Sequence, residues 1–207
     1  MYLLTSLPDA IINKIKSYVI FCPMTKKNLK YAVALWCINE NSKIETCKKY
    51  GHISLWNTEN ITDMSKLFMF HSYFNSVISS WNTSNVTNMR KMFYCTNDFN
   101  QPINKWDVSN VTNMSYLFCE ADDFNQPLDN WNVSNVTVMY MMFSYAESFN
   151  QIIENWDISN VKNMNKVKKS SNDNYINKTK FCSIYCRVSS LSQSNYIEGH
   201  TSLETQE

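Results

Sequence analysis

Apolar and polar positions between residues 51 and 167 follow one sentence that recurs every 25 residues. Trp56, Trp81, Trp106, Trp131 and Trp156 keep this step, as do Met64, Met89, Met114, Met139 and Met164. Phe-Asn pairs begin at Phe74, Phe99, Phe124 and Phe149. A fixed period in this range marks stacked supersecondary units, none of which buries its apolar side alone. Each unit divides in two. In Ile103-x-x-Trp106-x-Val108-x-x-Val111, Trp106 and Val108 are two apart and face one side of an extended chain, which predicts a short strand. In Met114-x-x-Leu117-Phe118 the spacings of three and four predict a short helix. Thr87, Thr112 and Thr137 precede the methionine by two residues, where a hydroxyl serves as an N-cap. The Phe-Asn-Gln-Pro steps at 99–102 and 124–127 return the chain, because proline fixes its own φ and keeps the preceding Gln extended.

The expected fold is therefore an α/β repeat solenoid with one short strand and one short helix per 25-residue coil, preceded by an α-helical N-terminal cap. Its core would hold the five tryptophans together with Phe74, Phe99, Phe124 and Phe149. The outward column of the strand face is Asn57, Asn82, Asp107, Asn132 and Asp157, the expected recognition face, since exposed strand faces are where such arrays bind partners. The loops at 69–73, 94–98, 119–123 and 144–148 vary more and compete with that face for the role.

Three regions follow from the pattern: a helical segment at 1–50, five coils at 51–167, and a polar tail at 168–207 expected to be disordered. In the first region Ile11, Ile12, Ile15 and Val19 share a helical face after Ser6-Leu7-Pro8-Asp9. Leu29, Ala32, Val33, Trp36 and Cys37 form a second amphipathic face. Ser42-x-x-Glu45 has capping-box spacing and Gly51 stands where a helix ends, so three short helices precede a first strand at Ile53–Thr58.

Composition narrows the chemistry. Only two glycines occur, against 28 asparagines. No glycine-built phosphate loop or nucleophile elbow can be written, and no cofactor is expected. Lys+Arg 19 against Asp+Glu 18 argues against wrapping nucleic acid. No run of apolar residues is long enough to span a membrane. Seven scattered cysteines read as reduced intracellular thiols, and Cys182-x3-Cys186 lacks the partners of a zinc site. His52 and His71 have no recurring Asp or Cys partner, so no catalytic triad or metal site is expected and the chain reads as non-enzymatic. Asn85, Asn110 and Asn135 read as structural amides at a bend.

The run Phe124-Asn125-Gln126-Pro127-Leu128-Asp129-Asn130-Trp131-Asn132-Val133-Ser134-Asn135-Val136-Thr137 resembles the BspA-like leucine-rich repeat, over about residues 51–167. That family occurs in bacterial and protist surface proteins and in large DNA viruses. The resemblance implies a repeat protein that binds other proteins without catalysis. Leu7-Pro8-Asp9-Ala10-Ile11-Ile12-Asn13-Lys14-Ile15 resembles the opening of an F-box, which implies docking of Leu7, Pro8, Ile11, Ile12 and Ile15 onto a cullin-type ubiquitin ligase adaptor. Two readings of residues 1–50 thus stand side by side, a cap for the array and an adaptor-docking segment. Two settings also compete: an intracellular substrate receptor, and a surface or adhesion protein on a cell or virion.

Overall fold

The structure, a computed structural model, describes residues 21–23 and 25–167. The F-box-like positions Leu7, Pro8, Ile11, Ile12 and Ile15 and the tail at 168–207 lie outside the described residues.

Helix α1 spans Lys26–Ile38 and α2 spans Glu40–Tyr50. The Thr25 hydroxyl opens α1 by accepting the Asn28 N–H at 3.2 Å, satisfying one donor that the first turn leaves orphaned. Leu29, Ala32, Val33 and Trp36 are the buried face of α1, at the predicted helical spacing. Helix α2 starts earlier than its expected capping box. Asn39 is the cap, its side-chain oxygen accepting the Ser42 N–H at 2.8 Å, and Ser42 lies inside the helix. Gly51 closes α2 at φ 74, donating its N–H to the Cys47 carbonyl at 2.8 Å. Among the described residues this is the one position where a glycine supplies a positive φ. The α1 face meets the first 25-residue unit. Trp36 stands edge-on to Trp56 at 5.9 Å, Phe21 packs on Trp56 at 5.2 Å, and Lys26 pairs with Asp63 at 2.8 Å.

Beyond Gly51 the chain runs in successive 25-residue units that stack on one another. Backbone groups one period apart join them. Thr112 N–H donates to the Thr87 carbonyl at 2.8 Å and Thr137 N–H to Thr112 at 2.9 Å. Like side chains form internal columns. Phe68, Phe93, Phe118 and Phe143 follow at ring distances of 5.4, 5.5 and 5.6 Å. Phe74, Phe99, Phe124 and Phe149 follow at 5.9, 5.9 and 5.8 Å. The two columns touch within each unit at 4.0 to 4.1 Å. The five tryptophans are buried, and the last four donate their indole N–H to a carbonyl of the preceding unit: Trp81 to Ile53, Trp106 to Ile78, Trp131 to Ile103 and Trp156 to Leu128.

This architecture corrects the expected α/β repeat solenoid. Among the described residues there is no strand, and both α-helices precede the stack, so no coil contains a strand and a helix. The predicted first strand opens with a single 3-10 turn, Ile53–Leu55. The segment Ile103–Val111 consists of turns, with Trp106 N–H on the Ile103 carbonyl at 3.0 Å and Val111 N–H on Val108 at 2.9 Å. These turns bury Trp106, Val108 and Val111 without a paired extended chain. The predicted helix fails for a sharper reason. Its third residue is held at positive φ in each unit: Lys66, Lys91, Tyr116, Met141 and Lys166, at 53 to 59°. Alternate N–H groups then point along the stack. Met89, Lys91 and Phe93 donate to Asn113, Ser115 and Leu117 of the next unit at 3.0 Å each, so they cannot make the i to i−4 bonds of a helix. The isolated parallel bridges, Asp63 to Asn88 to Asn113 to Val138 to Asn163, fall at this same ladder. Thr87, Thr112 and Thr137 accordingly cap no helix; their hydroxyls reach back to the preceding unit's threonine carbonyl at 3.1 to 3.2 Å.

Candidate interaction surfaces

The expected recognition column has a structural task. Each member accepts a hydrogen bond from the backbone N–H two residues on: Asn57 from Glu59, Asn82 from Ser84, Asp107 from Ser109, Asn132 from Ser134 and Asp157 from Ser159, at 2.9 to 3.1 Å. These are Asx turns, in which a short polar side chain mimics the backbone. Asp107 also accepts the Ser109 hydroxyl at 2.6 Å. The Ser109 hydroxyl and N–H hold the Asp107 carboxyl below the usual carboxylate range, and Ser159 does the same for Asp157. Beside this column, Asn85, Asn110, Asn135 and Asn160 donate their amides to Glu59, Ser84, Ser109 and Ser134 of the preceding unit at 2.7 to 2.8 Å. The face is polar and uniform because it is a hydrogen-bonded seam.

The ladder face differs. Phe70, Tyr94, Tyr116 and Tyr140 come from four successive units and meet edge to face at 5.4, 6.1 and 5.2 Å. Lys91 Nζ lies 4.9 Å from the Tyr94 ring centre and 4.7 Å from that of Tyr116, and the Arg90 guanidinium lies 5.9 Å from Tyr116. The outcome is a continuous aromatic and cationic strip, the composition that dominates binding energy at protein interfaces. Partial burial, with Cys95 and Glu120 beside it, pushes the Tyr94 phenol up, and it donates to Glu120 at 3.2 Å. Sequence columns did not reveal this strip. Its four rings occupy different slots of the 25-residue period and converge only because the stack places neighbouring slots diagonally.

At its upper end the strip runs into a cleft of about 540 Å³ between the α1–α2 junction and the first unit's loop, lined by Trp36, Ile38, Lys43, Phe70, His71 and Tyr73 among others. Ile38 is 61% exposed, Phe70 62% and Tyr73 90%. Trp36 is fixed in the wall by an indole N–H to the Ser76 hydroxyl at 3.0 Å. The variable loops thus contribute Phe70 and Tyr73 to this end and Tyr94 to the strip.

Three thiols and one imidazole feel their burial. Burial pushes the Cys37 and Cys119 thiols up to about 12 and the Cys95 thiol up to about 11, with Glu120 adding to the latter. That direction opposes the lowered pKa of a nucleophilic thiol. Burial and the charge of Lys30 lower His71. His52 Nδ1 lies 2.7 Å from the Ser54 hydroxyl and its ring stands edge-on to Trp36 at 5.1 Å. Among the described residues no three His, Cys, Asp or Glu groups are placed to hold a metal ion, and no helix is long and apolar enough to cross a membrane.

Residues 39–139 and 103–181 match the model of a family described as Mycoplasma protein of unknown function, DUF285. No curated protein and no solved structure matches the chain.

Proposed function

The chain belongs to the DUF285 family, and from its surfaces we propose that it is a non-enzymatic protein-binding repeat protein of the BspA-like, leucine-rich-repeat-related kind, which engages its partner through the ladder face. The observation that carries this reading is the strip Phe70–Tyr94–Tyr116–Tyr140 with Arg90 and Lys91 against its rings. Aromatic and arginine side chains on a fixed scaffold supply large contact area with little entropy to lose. The columns that hold the units together are buried, whereas the strip's rings are half-buried at Tyr94, Tyr116 and Tyr140 and exposed at Phe70. The test is affinity capture with the full chain and with a Tyr116→Ala/Tyr140→Ala variant of matched thermal stability. The proposal expects proteins that the wild type retains and the variant loses. Identical captured sets from both proteins would refute it.

The resemblance of Leu7–Ile15 to an F-box opening supports a more specific role, a substrate receptor whose residues Leu7, Pro8, Ile11, Ile12 and Ile15 dock a cullin-type ubiquitin ligase adaptor. In that role the ladder face would hold the substrate. A pull-down with the purified adaptor decides it: the wild type binds, Leu7→Ala/Pro8→Ala does not, and absence of binding by the wild type rejects the role.

A further inference from the structure

Resting on that reading of the ladder face, we infer that the strip docks an extended acidic segment of the partner protein, with carboxylates against Lys66, Arg90 and Lys91 and an apolar side chain in the cleft beside Phe70 and Tyr73. Charge complementarity is the first support. Among the described residues the ion pairs engage Lys26, Lys43 and Lys48. None engages Lys66, Arg90 or Lys91, so three cations stand on one end of the face without a carboxylate. The charge changes sign along the stack. Glu120, Asp122 and Glu147 line a hollow with Asn97 and Tyr145 in the later units. An acidic segment is attracted at the first units and repelled at that hollow, which fixes where it lies and where it stops.

Ring geometry separates this occupant from a nucleic acid. A base-stacking platform needs open aromatic faces. Here the rings meet edge to face at 72 to 88°, and Lys91 and Arg90 sit over Tyr94 and Tyr116. The cations thus occupy ring faces that a base would need, and Lys66, Arg90 and Lys91 are the donors for carboxylates. The spacing also suits an extended chain. Equivalent rings of neighbouring units are 5.4 to 6.4 Å apart, and same-side residues of an extended peptide are about 6.6 Å apart. Acidic residues at alternate positions keep step with two or three units.

The test pans a random twelve-residue peptide display library on the full chain. Peptides also retained by an Arg90→Gln/Lys91→Gln variant are subtracted, after its thermal unfolding is matched to wild type. The wild-type-specific peptides are expected to be enriched in Asp and Glu, at alternate positions. Wild-type-specific peptides without acidic enrichment overturn the inference and leave the protein-binding reading standing. If no peptide distinguishes wild type from either this variant or Tyr116→Ala/Tyr140→Ala, both fail. A measurement on wild type alone guards against a misfolded variant. Affinity for a selected peptide should fall several-fold as NaCl rises from about 0.05 to 0.5 M, because added salt shortens the screening length between exposed charges; an unchanged affinity overturns the inference. Fluorescein-labelled dT12 serves as the nucleic-acid arm, and binding as tight as that of the selected peptides also overturns it.

Discussion

Replacing Asp107 in two ways decides whether its column reads a partner or shapes a turn. Asp107→Ala removes the oxygen that accepts the Ser109 N–H at 2.9 Å and the Ser109 hydroxyl at 2.6 Å. Asp107→Asn keeps an acceptor in the same place. Both variants remove the charge. Recognition by charge would therefore make the two behave alike, whereas turn capping separates them. Loss of a comparable side-chain cap costs roughly 0.5–2 kcal/mol. For a chain of this size about 1 kcal/mol lowers Tm by roughly 2–4 °C. Asp107→Ala is expected to lose about that much in a circular-dichroism melt at pH 7, and Asp107→Asn to stay within about 0.5 kcal/mol of wild type, as surface changes usually do. The pH dependence follows from the lowered carboxyl pKa. The bonds from Ser109 favour the charged form, so their contribution is present above the unfolded value of about 3.9. It is lost as pH falls through the lower folded pKa. Asp107→Asn lacks this titration, so wild type weakens relative to it only at acid pH, and modestly, because the site is solvent-screened. Equal Tm values for the Ala and Asn variants would refute the turn assignment.

Trp106→Ala should lower stability by about 3–5 kcal/mol, since the ring is 3% exposed and stacked on Phe93; an unchanged denaturant midpoint would contradict the packing. Trp106→Phe keeps an aromatic body but removes the indole N–H that the Ile78 carbonyl accepts alongside the Trp81 N–H, so a smaller loss of roughly 0.5–1.5 kcal/mol is expected, measurable in the same titration. Lys66→Gly should be neutral or stabilising, against the usual cost of glycine: the residue is at φ 59, a conformation that costs a residue with a Cβ about 1–2 kcal/mol. A Tm drop of several degrees would show that the backbone is not held there. Asn100→Ala unhooks the Asn125 N–H and the Gln126 amide, both bound to Asn100 Oδ1, and should speed amide exchange at Asn125 while leaving Met139, whose N–H bonds the Asn163 carbonyl of a later unit, little changed.

Much of the packing was legible in the sequence, and the backbone path was not. Identical spacing of Trp106 and Phe99 with their counterparts identified the buried columns, because a fixed period can bury the same side only by stacking. The amphipathic spacing of Leu29, Ala32, Val33 and Trp36 placed α1 correctly for the same reason. Spacings of three and four in Met114-x-x-Leu117-Phe118 then misled. They also arise when consecutive tight turns keep returning the side chains inward, and only the sign of φ at Tyr116 distinguishes that path from a helix. Helix propensity at Lys91 or Met141 says nothing of a left-handed backbone, which is set by ladder bonds to a unit 25 residues away. The Asx turns at Asp107 and Asn132 were hidden by the same alternation that makes a polar residue between two apolar ones look like a strand's outward face.

Position in the period separates architecture from recognition. Trp106, Asn110, Thr112 and Asn100 recur in register because each spends its hydrogen-bonding capacity on the adjacent unit. A residue repeated for that purpose makes every unit present the same surface there, and a uniform surface cannot favour one partner over another. Two other columns do not repeat one bonding residue in every unit: Lys66, Lys91, Tyr116 and Met141 in one, and Phe70, Cys95, Glu120 and Tyr145 in the other. These columns change residue from unit to unit, and they are also the positions held at positive φ. The left-handed backbone that turns alternate N–H groups along the stack thus also fixes the slots from which the varied side chains leave it. The strip combines members of these columns with Tyr94 and Tyr140 from neighbouring slots, and its rings meet diagonally across units. A partner bound there contacts several units at once, so its affinity depends on the order of the units as well as on their composition. Exchanging Tyr116 with Met141 would preserve composition and the period while breaking the contacts of Tyr116 with Tyr94 and Tyr140. Loss of partner capture by that exchanged variant, at unchanged Tm, is the outcome expected if recognition is written across units; retained capture would place recognition elsewhere on the surface.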